Sequence, residues 1–237
     1  MKYKIIIPAR YKSTRFPGKP LIDLKGKSMI KRVWEKAVYA TKYEDVYIAT
    51  DSKTIFNHCK DFTDNIIITS DKCLTGTDRV AECLKKVDAD YFINIQGDEP
   101  LINPNDIKKT VLASKKYKNF VINCMLKIKS RKEFLSEDIP KVVFDQNFNL
   151  LFMSRSTIPF NSFNNAYKQV CIYVFPRDTL KYYGVDKRKS KNELIENIEI
   201  LRLIDNDIKV KMIELKNQSY AIDRKKDITK VLRLIKS

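Results

Sequence analysis

The most constraining feature of this chain is a repeated alternation between short apolar runs and stretches with helical spacing. Lys4 to Pro8 contains three consecutive isoleucines, and Val46 to Ala49, Asn65 to Thr69 and Tyr91 to Ile95 are similarly short and rich in apolar, β-branched residues. Each run has strand length, and near-continuous apolarity suits a strand covered on both faces. Between the first two, Met29, Ile30, Val33, Trp34, Ala37 and Val38 recur at the spacing of an amphipathic helix over Ser28 to Ala40. Lys53 to Lys60, Thr77 to Val87 and Asn105 to Lys116 read as further helices. The alternation predicts an α/β fold: a mostly parallel sheet with helices on both faces. In such a sheet the site lies beyond the C-terminal strand ends. The polar segments 9–19, 50–52, 73–79 and 96–100 all fall there.

After residue 120 the pattern changes. Val121 to Lys127, Lys141 to Phe144, Leu150 to Phe152 and Val170 to Phe175 read as strands without long helices between them. The expectation is a single domain over 1–237 with a smaller, mainly β extension at about 120–190. Asn192 to Ile204 is expected as one helix, Lys209 to Leu215 as the last strand and Lys226 to Ile235 as a terminal helix.

Composition narrows the partners. Hydrophobic residues make up 43% of the 237 positions, enough for a sizeable core. No apolar run nears the roughly 18 residues of a membrane span, so no membrane insertion is expected. The N-terminal isoleucine run is too short for a signal peptide, which predicts a cytoplasmic protein. The net charge is +17, but the lysines are scattered rather than gathered in a stripe, so nucleic acid is not expected as a partner. Five cysteines without a C-x-x-C pair read as free thiols. His58, the only histidine, reads as an incidental surface residue.

Chemistry concentrates in three segments. The loop Pro8-Ala9-Arg10-Tyr11-Lys12-Ser13-Thr14-Arg15-Phe16-Pro17-Gly18-Lys19 follows the first strand and carries four cationic side chains. Such a loop can surround a polyphosphate, although it has neither the Walker A pattern nor a dinucleotide-binding fingerprint. Thr75-Gly76-Thr77-Asp78-Arg79 opens a helix; its threonines suit a helix cap, and its glycine allows close backbone approach to a ligand. Gln96-Gly97-Asp98-Glu99-Pro100 ends a strand, where successive side chains point opposite ways, so Asp98 and Glu99 should not face one ligand together.

Taken with Ala49-Thr50-Asp51, Lys141-Val142-Val143 and Ser154-Arg155-Ser156-Thr157-Ile158-Pro159 in the same order, these segments resemble the 3-deoxy-manno-octulosonate cytidylyltransferases over nearly the whole chain. The resemblance implies transfer of CMP from CTP to a 3-deoxy-2-ulosonic acid, with pyrophosphate release, for lipopolysaccharide or capsule synthesis. It implies Mg²⁺ as cofactor, CTP and a sugar acid as ligands, and a homodimer formed through the β extension. It assigns the nucleotide to Ala9, Arg10, Ser13, Arg15, Lys19, Thr75, Gly76, Thr77 and Arg79. Catalysis falls to Arg10, Lys19 and Asp98, and the metal to Asp98 and Asp223. The sugar acid falls to Gln96, Arg155, Gln169, Tyr173, Glu196 and Glu199. Glu193, Glu196 and Glu199 could share one face of the expected helix, either toward the sugar or as a solvated face with Glu199 paired to Arg202. Two places depart from the family pattern. Gln169 and Cys171 stand where H-x-G-I-Y has His and Gly, and Ala221-Ile222-Asp223-Arg224-Lys225 replaces G-V-D-T-P.

Overall fold

A computed structural model describes residues 2–12, 16–160, 162–184 and 188–235. Ser13 and Arg15 lie outside the described residues. The chain runs β1 (Tyr3–Ala9), α1 (Met29–Ala40), β2 (Val46–Thr50), α2 (Lys53–Lys60), β3 (Ile66–Ile68), α3 (Gly76–Glu82), β4 (Tyr91–Ile95), α4 (Pro104–Lys116) and β5 (Val121–Lys127). It continues with α5 (Arg131–Phe134), β6 (Lys141–Phe144), β7 (Leu150–Ser154), β8 (Tyr167–Pro176), α6 (Arg177–Leu180), α7 (Lys191–Glu196), α8 (Leu201–Ile204), β9 (Val210–Glu214) and α9 (Lys225–Leu234).

The strands form one sheet in the order β3-β2-β1-β4-β8-β5-β9, with β6 and β7 branching from β8. The period of two in β1 shows why both faces are covered. Ile5 and Ile7 pack with Ile30, Val33 and Ala37 of α1, while Ile6 packs with Val80 and Ala81 of α3 on the other side. All three isoleucines are fully buried, each contributing about 1.5–3 kcal/mol by leaving water. Helices α1, α2 and α4 cover the first face; α3 and α6 cover the second. No described helix is long and apolar enough to cross a membrane.

Several expectations are corrected. The expected parallel sheet is present in β1 to β4 and in the β5–β9 pair, and β8 enters it antiparallel to both β4 and β5, so the sheet as a whole is mixed. The β-rich stretch is not set apart from the sheet, since β5 and β8 are two of its interior strands and only the β6–β7 hairpin branches off. The helix expected over 192–204 breaks at Asn197, which adopts φ 52°. Asn tolerates this left-handed cap position better than most residues. The helix from α3 tightens into a 3₁₀ turn at Cys83–Lys85 rather than running to Val87.

A third apolar cluster sets up the site. Phe16, Leu24, Met29, Ile222 and Val231 pack together and hold α9, and the loop before it, against the start of α1. Residues from both ends of the chain thereby meet at one strand edge.

Candidate active site

A cavity of about 960 Å³ opens beyond the C-terminal ends of β1 and β4. Ala9, Arg10 and Lys19 line it from the opening loop; Thr75, Gly76 and Arg79 from the start of α3; and Gln96 to Glu99 from the end of β4. Arg155, Gln169, Tyr173, Glu199 and Asp223 complete the predicted set. Among the described candidates, Thr77 and Glu196 stand behind its wall rather than on it.

The opening loop is closed by Gly18, whose N–H donates to the Tyr11 carbonyl at 2.9 Å. Gly18 has φ 68°, a conformation that glycine adopts without a Cβ penalty, and the turn delivers Lys19 to the cavity floor. The Lys19 ammonium donates to Asp98 Oδ2 at 3.0 Å and to the Ile222 carbonyl at 2.9 Å. Ile222 also donates its N–H to the Asp98 carbonyl at 2.9 Å. The loop carrying Asp223 is thus stitched directly to the segment carrying Asp98. Asp227 adds a cap, accepting from the Asp223 and Arg224 N–H groups at 3.0 and 2.8 Å. Buried Ile222 anchors this altered loop in the third apolar cluster.

Asp98 and Glu99 both line the cavity but take different partners. Glu99 is 4% exposed and accepts from the Cys171 N–H at 2.9 Å and from the Ser219 hydroxyl. Burial pushes its carboxyl above the ordinary range, against the pull of those two donors. Asp98 Oδ1 is buried and has no hydrogen-bond partner among the described residues. An unsatisfied buried carboxylate oxygen costs about 1–3 kcal/mol or more, so this atom fits a cation. Asp98 and Asp223 carry carboxylate oxygens, the donor type that Mg²⁺ takes, usually from one or two carboxylates plus substrate phosphate.

The Thr75–Arg79 segment is held by buried charge. Thr75 caps α3, accepting from the Asp78 N–H at 3.1 Å. Asp78 is fully buried and meets Arg202 at 2.6 Å; Arg202 also meets Glu193 at 2.6 Å. Neither alternative for the acidic helix therefore describes Glu193, which is a buried partner of Arg202. Glu199 lies beyond the helix break and accepts from the Gly76 and Thr77 N–H groups at 3.2 and 2.9 Å. Its carboxylate complements the positive end of α3, while burial raises its pKa. Arg79 is 2% exposed and pairs with Asp51 at 3.1 Å.

Arg155 and Glu196 spend their bonds on each other's surroundings. The Arg155 guanidinium donates to the carbonyls of Glu137, Asp138, Glu196 and Asn197, closing the C-terminus of α7. The Glu196 carboxylate accepts from Ser154 Oγ and the Arg155 N–H at 2.7 and 2.9 Å. Burial holds the Tyr173 hydroxyl and the Cys171 thiol well above their ordinary pKa values, so both remain protonated near neutral pH. Lys168, Ser219 and Tyr220 also line the cavity and were not singled out from the sequence. They sit in β8 and the loop after β9, where no local pattern marks them. His58 Nε2 lies 2.7 Å from Ser28 Oγ at the start of α1, away from this cavity lining.

Residues 4–226 match the cytidylyltransferase family. The 3-deoxy-manno-octulosonate cytidylyltransferase of Geobacter metallireducens is 35% identical, over 98% of this chain and 97% of its own. That of Thermodesulfovibrio yellowstonii is 38% identical, over 94% of each chain. Among solved structures, a CMP:2-keto-3-deoxy-manno-octonic acid synthetase complexed with CTP superposes with a TM-score of 0.90 at 35% identity, covering 99% of this chain and 98% of that one. A 4-diphosphocytidyl-2C-methyl-D-erythritol synthase from Anaerococcus prevotii shares the fold, with a TM-score of 0.63 at 16% identity. With its opening loop, its two stitched aspartates and these full-length matches, the chain belongs to the 3-deoxy-manno-octulosonate cytidylyltransferase family.

Proposed function

We propose that this enzyme transfers the cytidylyl group of CTP to the anomeric hydroxyl of 3-deoxy-manno-octulosonate, giving the CMP-sugar and pyrophosphate for lipopolysaccharide or capsule synthesis. The observation that carries the reading is the cluster of Lys19, Asp98 and Ile222, which joins a polyphosphate-type loop to two aspartates at the head of one cavity.

Arg10 and Lys19 hold the triphosphate. The anomeric oxygen forms its bond to the α-phosphorus as the bond to the bridging oxygen breaks. The hydroxyl proton passes to water, and the two cations match the charge that grows on departing pyrophosphate. Asp98 and Asp223 would hold Mg²⁺, which when bound polarises the phosphate and lowers the pKa of the attacking hydroxyl. The start of α3 receives the nucleoside, with Thr77, Arg79 and Glu199 keeping that segment in shape. Gln96, Gln169 and Tyr173 face the sugar acid, while Arg155 and Glu196 brace its wall.

The deciding experiment is pyrophosphate release with CTP, Mg²⁺ and a panel of sugar acids. Release with 3-deoxy-manno-octulosonate is expected; release only with a different acid would reassign the acceptor. The same reading includes a cytoplasmic homodimer. Support comes from the five free cysteines, four of whose thiols are pushed up to about 12 by burial. It also comes from β7, which among the described residues pairs only with β6 and exposes Leu151 near Phe148. Light scattering should return twice the chain mass of 27.8 kDa; a monomer at micromolar concentration would remove the dimer.

Gly76 provides a sharper check on the sugar side. A Cβ there would lie 2.7 Å from Gln96 Oε1 and 2.8 Å from Nε2. Those atoms end a flexible side chain, so Gly76→Ala should displace the Gln96 amide at little cost to the fold. Turnover with the sugar acid should fall roughly tenfold, while the melting temperature moves by only a few degrees. Kinetics and a melt together test this; unchanged kinetics would take Gln96 out of the sugar contact.

A further inference from the structure

Strand β8 contains an irregularity that no local sequence pattern announces. Opposite β5, Asn123 pairs with Tyr173 while the next residue, Cys124, pairs with Val170. Cys171 and Ile172 therefore have no partner on β5, and the ladder opens where Gln169, Cys171 and Tyr173 line the cavity. Buried side chains close the gap. Asn123 is fully buried, and its Nδ2 donates to the Val170 and Ile172 carbonyls, both at 3.0 Å. From the other side, Glu99 accepts the Cys171 N–H, and the Cys171 carbonyl accepts the Gln96 N–H at 3.2 Å.

This arrangement fixes two amides at once. Both Nδ2 hydrogens of Asn123 are used on carbonyls, so the group facing Gln169 must be Oδ1, an acceptor. Gln169 answers with Nε2, at 3.1 Å. Its own oxygen, Oε1, is then the atom without a partner among the described residues, on a residue that lines the cavity. Had the Asn123 amide been free to turn over, Gln169 could present either end to a ligand.

We infer that Asn123 is a positioning residue for the acceptor site: by holding Gln169 Nε2, it makes position 169 present an oxygen acceptor that selects a hydroxyl donor on the sugar acid. The inference rests on the functional reading above. It also gives a physical role to the replacement of the family's histidine at this position. A Gln held in this way presents an oxygen acceptor that carries no proton and no charge across the physiological pH range.

A double-mutant cycle tests the inference, using Asn123→Ala, Gln169→Ala and the pair, with KM measured separately for the sugar acid and for CTP. Asn123→Ala should raise the sugar KM roughly fivefold to tenfold and leave the CTP KM within about twofold. In the Gln169→Ala background the same change should add nothing further to the sugar KM. Asn123→Ser retains a small donor for the buried carbonyls. It repeats the cycle if the alanine variant does not fold, with the same coupling expected. Equal effects of the Asn123 change in both backgrounds, or a parallel rise in CTP KM, would mean a purely structural role and overturn the inference. A sugar KM unaffected by Gln169→Ala would overturn it as well. Failure of the wild-type protein to release pyrophosphate with any sugar acid would sink the functional reading and this inference together. Wild-type turnover without coupling would sink the inference alone.

Discussion

Asp98→Asn should abolish turnover while leaving the fold intact. The substituted amide is the same size, and its oxygen can still accept from the Lys19 ammonium, which now meets Asp98 Oδ2 at 3.0 Å. Its NH₂ group must then point where the buried, unpartnered Oδ1 stands. A donor there faces any incoming cation with the wrong polarity, and the site has lost one of its two aspartate charges. Pyrophosphate release should fall by about 10²–10³-fold or more, the range seen when one preorganised electrostatic contact is removed from a transition state. The melting temperature should move by only a few degrees, because one unpartnered polar group replaces another and the Lys19 contact weakens from an ion pair to a hydrogen bond. Mg²⁺-dependent tightening of CTP binding, followed by calorimetry, should disappear with the activity. Normal turnover would remove Asp98 from the metal site.

The largest loss of stability is expected at Arg202, which lies far from any reacting atom in the proposed mechanism. Its guanidinium is 2% exposed, sits between the buried carboxylates of Asp78 and Glu193, and lies over the Tyr183 ring at 4.5 Å. Arg202→Met fills much of the same volume but leaves two carboxylates buried without their counter-charge. Breaking such a network typically costs about 3–5 kcal/mol. For a chain of this length that corresponds to a melting temperature lower by on the order of 10 °C. Lys181→Met, which removes an exposed ion pair to Asp178, should leave the midpoint where it is. The Arg202 loss should also loosen Thr75 and Gly76, since Asp78 fixes the turn that presents them. A melting temperature unchanged by Arg202→Met would show that the triad contributes nothing to stability.

The contrast between these residues shows where sequence reading reaches and where it stops. The strands and helices up to residue 120 are legible because their periodicity is local. Ile5, Ile6 and Ile7 alternate between faces, and Lys53–Lys60 forms a helix with the expected bounds. The polar loops at the strand ends could be placed on one edge because parallel strands all finish on the same side. The segments Gln96–Pro100 and Thr75–Arg79 carried their resemblance within five residues each.

What lay beyond that reach has a common physical cause: the partner is distant in the chain. Strand β8 reads in sequence as part of a smaller β extension, and only its insertion between β4 and β5 makes it an interior strand of the main sheet. Glu193, Glu196 and Glu199 share a helical spacing, yet they have three different tasks: Glu193 meets Arg202, Glu196 accepts from the Ser154 hydroxyl and the Arg155 N–H, and Glu199, beyond the Asn197 break, caps the start of α3. Asn123 is an unremarked polar residue in an apolar strand until Val170, Ile172 and Gln169 are set against it. The sequence by itself determined the αβ alternation, the edge where ligands gather and the chemical character of the loops there, since these follow from side-chain period and strand direction. Tertiary structure decided which charges meet ligand and which are buried against one another. Hydrogen bonding and desolvation depend on atoms brought within about 3 Å, and no local pattern specifies those neighbours.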